Sequence, residues 1–185
     1  MALLTLDDAK AQLNLTNTTE AQDAELQAYV DAVGPVIEGY IGPVEPREVT
    51  QTVVGRGPTL CLSTTPVLVV TSLTSVYAGW TGIDSAGLHV DGESGVLRRL
   101  DGAHFRGGPW TAVYTAGREE EPGTVNLAAR MLVQHLWRTQ NRASPSVLGG
   151  GDDYSVTEPV PGFGYAVPNR VLELLEPYKR PPGVA

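Results

Sequence analysis

"WTAVYTAGREEEPGTVNLAARMLVQHLW", residues 110–137, changes its periodicity midway. Trp110 to Ala116 reads as a β-strand, Gly117 stops it, and an acidic loop then leads to a long helix with almost no polar side. Thr124 is placed to cap that helix. Leu127, Ala128, Met131, Leu132, His135 and Leu136 fall on one stripe; Val125, Ala129, Val133 and Trp137 fall on a second. A helix apolar over so much of its girth must be covered on two sides. One cover is a second helix of the same chain. The other is a β layer or a second subunit.

The second helix lies near the start. In "TNTTEAQDAEL", Thr19 with Gln22 makes a capping box, and Leu26, Tyr29, Val30, Val33, Ile37, Tyr40 and Ile41 repeat at helical spacing. This predicts a helix over 20–41. Gly34-Pro35 interrupts the pattern, and a kink or break is expected there, because proline lacks the amide proton and crowds the preceding turn. Gly42-Pro43 ends the helix. Before it, Thr5 and Asp8 form another approximate capping box, which starts a short helix over 5–13.

Between Val49 and Thr115 the period is two. "VTQTVVG", "TLCLS", "LVVTSLTSVYA", "GLHVDG", "GVLRRL" and "WTAVYTAG" are short, rich in valine and threonine, and separated by turn-forming residues. They predict an antiparallel β unit, with "VDGESGVL" as a hairpin and "GWTGIDSAG" as a second connection. The fold class is therefore α+β: a helical bundle with an inserted antiparallel β unit, together spanning 1–143 (helices 5–13, 20–41 and 124–141, β unit 49–115). A C-terminal arm, 144–185, ends in a short helix that begins near Pro168 and buries Val171, Leu174 and Leu175. Such an arm folds little by itself, so a chain cut after Arg142 is expected to remain folded.

Composition removes several functional classes. The 21 acidic and 13 basic residues leave a net charge of −8, which argues against a surface built to grip phosphates. No run approaches the ~20 apolar residues needed to span a bilayer, so no membrane partner is expected. No secretion signal opens the chain, and the lone Cys61 reads as a buried small hydrophobe. His89, His104 and His135 have no metal-ligand spacing, and Asp152-Asp153 is an isolated acidic pair in a glycine-rich loop. Ser85 in "GIDSAG" lacks the glycines of a nucleophile elbow. No metal, no other cofactor and no catalytic set is expected. Glu119, Glu120 and Glu121 suit a helix N-terminus electrostatically; their functional reading is repulsion of a nearby polyanion.

The order of the pieces carries a resemblance. "LLTLDDAKAQLNL", a helix ending "IEGYIG", "PVLVVTSLTSVYA", "AVYTAG", the helix "NLAARMLVQHLWRTQNR" and the ending "GFGYAVPNRVLELLEPYKRPPGVA" together resemble the head-tail connector, or adaptor, proteins of long-tailed bacteriophages and prophages. The resemblance covers nearly the whole chain. It implies a non-enzymatic virion protein of the neck, made in the host cytoplasm, that assembles as a ring, typically a dodecamer, under the portal protein. That ring extends the DNA channel and docks the next head-completion, stopper or tail-side protein.

Double-stranded DNA then passes through without specific binding, and Glu119, Glu120 and Glu121 become candidates for the channel or its rim. Val133 and Trp137 become candidates for a subunit interface. Phe163, Tyr165, Leu174, Leu175 and Tyr178 become anchors by which the arm docks on the portal, on an adjacent subunit or back on its own bundle. Competing readings are another neck or tail protein, a DNA-binding packaging factor, whose helix-turn-helix the acidic balance and β unit oppose, and an enzyme.

Overall fold

The computed structural model describes residues 3–55, 57–106, 108–120, 122–141 and 167–180. They fall into two compact units, one from Met1–Tyr40 with Glu121–Tyr178 and one from Ile41–Glu120 with Lys179–Ala185. The first is helical and the second is β, so the class is α+β, as the sequence predicts.

In the helical unit, α1 spans Leu6–Leu13, α2 Glu20–Ile41, α3 Gly123–Asn141 and α4 Asn169–Leu175. Both capping boxes form. The Asp8 amide donates to Thr5 Oγ1 at 3.1 Å, and the Gln22 amide donates to Thr19 Oγ1 at 3.3 Å. Asp8 also accepts from Arg130 Nη2 of α3 at 2.8 Å, while Lys10 pairs with Asp23 of α2 at 2.8 Å. The Thr5 hydroxyl, aided by Arg130, holds the Asp8 carboxyl below its ordinary range. A residue that starts α1 thus also ties it to α3.

Two expectations are corrected here. First, of the expected kink or break at Gly34-Pro35, the break does not occur: α2 is helical from Glu20 to Ile41. The residue before a proline normally resists the helical region because its Cβ meets the proline ring. Gly34 has no Cβ, and Pro35 itself lies on the exposed side, where water can serve the carbonyl it leaves unpaired. Second, Thr124 is not the cap of α3. The helix begins at Gly123, and the Pro122 carbonyl accepts from the amides of Val125 (2.8 Å) and Asn126 (3.3 Å). Proline just ahead of the first turn sacrifices a donor that has no helical partner anyway.

Both stripes of α3 contribute to the interior: Ala128 and Leu132 from the first, Val125, Ala129 and Val133 from the second. Leu132 is 1% exposed, so Leu132→Ala is expected to cost about 2 to 5 kcal/mol through lost transfer energy and a cavity. Urea denaturation checks this; a loss below about 1 kcal/mol would mean that the position is not core.

In the β unit, β1 (Arg47–Val53), β6 (Trp110–Ala116) and β3 (Val67–Ser75) form one antiparallel sheet with β6 in the middle. Strands β2 (Thr59–Cys61), β5 (Val96–Arg99) and β4 (Leu88–Asp91) form a second. The expected hairpin is β4–β5, closing at Asp91 opposite Val96, with the Asp91 carboxylate accepting from the Ser94 hydroxyl at 2.6 Å. Both sheets feed one core: Trp110, Ala112, Tyr114, Val70 and Leu73 from the first meet Leu60, Leu97 and Leu88 from the second.

Strand alternation also revises Cys61. Leu60 points inward at 1% exposure, so its neighbour Cys61 points away and is half-buried. In β3, register shifts after Val67 and after Val70 leave Leu68 and Thr71 as the extra residues of two bulges.

Candidate functional site

The sequence-derived interface residues have separate fates. Val133 is fully buried within its own subunit, and Trp137 is half-buried against Tyr29 of α2, edge to face, with ring centroids 6.2 Å apart. At Trp137 the second stripe of α3 therefore meets α2 of the same subunit. On the first stripe Leu127 stays 45% exposed. His135 is partly buried, which lowers its pKa by desolvation.

The terminal helix folds back on its own subunit. α4 packs on α3, burying Val171 and Leu175, and Val167 ahead of it is buried too. Leu174 and Tyr178 are half-buried. The Tyr178 hydroxyl accepts from Thr124 Oγ1 at 3.1 Å, and the Tyr40 hydroxyl donates to Glu176. Thr124, expected as a cap, is used here instead. Phe163 and Tyr165 lie outside the described residues.

The acidic loop leaves the end of β6. Arg118 donates from Nη2 to the Ile41 carbonyl (3.1 Å) and from Nη1 to that of Pro43 (3.2 Å), while its amide donates to Val44 at 3.2 Å. Beyond it Glu119 and Glu120 are exposed; Glu121 lies outside the described residues. The loop presents carboxylates at the point where the chain leaves the β unit.

One surface escaped the sequence reading. Val53 and Ser75 both lie opposite Trp110, so the residues that follow them emerge at the same end of the first sheet. Val54, Val76, Tyr77, Trp80 and Leu100 are each more than half exposed. Beside them is an open recess of about 800 Å³ lined by Trp80, Asp84, Arg99, His104, Arg106 and Trp110. Arg99 is engaged by Asp101, and the buried Trp110 Nε1 has no acceptor. The available signal was "SVYAGW", three large apolar residues in a connection where polar turn residues are the rule.

Chemically, these surfaces suit adhesion. Among the described residues no three His, Cys, Asp or Glu side chains are grouped to hold a metal ion, and no helix is long and apolar enough to cross a membrane.

The profile of a family described as "head completion protein" matches residues 2–181. The chain belongs to the head completion protein family. Three solved structures share the fold of this head completion protein. The neck of an empty gene transfer agent particle, computed with C6 symmetry, aligns at 20% identity over 99% of this chain and 92% of that one, with a TM-score of 0.62. The neck of the native particle, computed with C12 symmetry, gives 22% identity over 88% and 86%, with a TM-score of 0.57. The virion of the native particle gives 17% over 99% and 92%, with a TM-score of 0.55. No curated protein matches the chain.

Proposed function

We propose that this head completion protein is a ring-forming subunit of the virion neck, seated under the portal, where it extends the DNA channel and offers a docking face to the next neck or tail protein. The observation that carries the reading is the family match across residues 2–181. The cyclic symmetry of the gene transfer agent necks supports a ring, with a twelve-fold ring as the simplest form. Packaged, tailless heads supply the test. The protein should be retained by portal-bearing heads, appear as annular density beneath the portal in electron micrographs, and be absent from heads without portal. Equal retention by both would defeat the assignment.

A net charge of −8 suits a conduit that does not hold DNA. In this reading Glu119 and Glu120 face the passing duplex, and Glu121 is next to them in sequence. Replacing all three by lysine should slow DNA ejection and make it more salt-sensitive, by roughly ten-fold at low ionic strength. Ejection kinetics at two salt concentrations measure this. Unchanged rates in fully assembled particles would return these residues to the role of a solvated loop.

A further inference from the structure

Apart from Leu100, which follows β5 of the second sheet, the exposed large apolar residues of the β unit lie at the two ends of its first sheet. One end carries Val54, Val76, Tyr77 and Trp80, with Arg106 lining the adjoining recess. The other end carries Leu68 (37% exposed) and Val69 (55% exposed). There the register places Glu48 of β1 and Val69 of β3 opposite Thr115 of β6, in one row on the face turned away from the core. Among the described residues, neither Arg106 nor Glu48 has an ionic partner, and both are exposed.

The two patches match in kind. Each combines bare apolar surface with an exposed charge that lacks an ion pair among the described residues, Arg106 at one end and Glu48 at the other, and these two charges are opposite. β6 is seven residues long, so the patches are separated by roughly 20 Å along a rigid sheet and cannot meet within one copy. A surface complementary to a different surface of the same molecule is what a head-to-tail contact between identical chains requires, and such contacts close into rings. Exposed apolar groups around a single ion pair also form the usual anatomy of a protein interface: aromatic anchors supply affinity and the charge pair fixes register.

We propose that adjacent copies meet through these ends, the Trp80 end of one β unit seating on the Val69 row of the next with Arg106 facing Glu48. The contact rests on the ring reading above and names the surfaces that build it. Full-length variants loaded onto portal-bearing heads test it, with copies per head measured by quantitative gel and ring density by electron microscopy.

Arg106→Glu and Glu48→Arg should each lower ring occupancy about ten-fold at limiting protein, and the double variant should recover to within about three-fold of wild type. Trp80→Ala should lower occupancy comparably. These residues are exposed, so the melting temperature of each variant should stay within about 2 °C of wild type. Normal occupancy in the single charge variants, or no recovery in the double, would overturn the contact while leaving the neck assignment standing. A wild-type protein that forms no ring on heads would remove both.

Discussion

A chain cut after Arg142 should lose its helical unit, not merely its tail. The cut removes Val167, Val171 and Leu175, all at most 4% exposed, and with them the cover over part of α3. Burying an aliphatic side chain of this kind is worth about 1.5 to 3 kcal/mol, so three amount to about 5 to 9 kcal/mol as an upper bound. That is the order of a whole domain's stability. The polar links of Thr124 to Tyr178 and of Tyr40 to Glu176 are lost as well.

The expected result is a collapse of cooperative helical melting followed by circular dichroism, with early proteolysis inside α3. Leu175→Ala, a milder change, should cost about 2 to 5 kcal/mol. A truncated chain that melts like the full one would show that α4 is a detachable arm, as its glycine- and proline-rich approach suggests. Packing energetics point the other way: the linker is long, yet the helix at its end is core.

The second large effect concerns two glycines that the sequence displays in short motifs. In "IEGYIG" the last glycine, Gly42, follows α2 with φ +83°, and a Cβ there would lie 1.9 Å from the Thr65 carbonyl oxygen. In "YTAG", Gly117 has φ +132°, and its Cβ would lie 2.3 Å from the Glu45 carbonyl oxygen. Backbone oxygens cannot rotate away as a side chain can. Gly42→Ala and Gly117→Ala should therefore each cost about 3 to 5 kcal/mol, combining left-handed strain with main-chain displacement.

Gly39, in the same "IEGYIG", supplies the control. A Cβ there meets nothing within 4 Å, and Gly39→Ala should stabilise α2 by up to about 1 kcal/mol. Denaturant titration of the three variants would show opposite signs within one six-residue motif. Equal effects would mean that close approach is not the reason for these glycines.

Local chemistry explains which parts of the fold were legible. Thr5 with Asp8 and Thr19 with Gln22 announce helix starts because each box satisfies amides that nothing else in the chain can reach so cheaply. The strands showed themselves by alternation. Three residues misled for reasons equally local. Pro35 looked like a breaker because the relief provided by Gly34 depends on what that glycine lacks. Thr124 looked like a cap, but the helix already begins at Gly123, with the Pro122 carbonyl two residues before Thr124 accepting its first amides. Cys61 looked buried because "TLCLS" is apolar throughout, and only the pairing of Leu60 with Leu97 fixes which neighbour faces in.

The candidate surfaces were less visible still. Val133 and Trp137 stand on a stripe whose cover could be internal or external, and periodicity does not distinguish the two. The Trp80 end needs the β1–β6–β3 register before Val54 and Tyr77, more than twenty residues apart in the chain, come to the same end of the sheet.

Arg118 bears on the order in which the molecule folds. Tyr29 and Trp137 must find each other across an intervening β unit of about 80 residues, and closing a flexible loop of that length is slow and entropically costly. Once the sheets have formed, the Arg118 side chain and amide fasten the outgoing chain to Ile41, Pro43 and Val44, the first residues of the same unit. The effective loop between α2 and α3 then shrinks from about 80 residues to a handful. Four doublings of length disappear, worth about 2.4 kcal/mol at roughly 0.6 kcal/mol each. In kinetic terms the β unit acts as a staple whose closing shortens the search of α2 for α3, so Arg118→Ala should slow the refolding of α2 against α3 more than it speeds their unfolding.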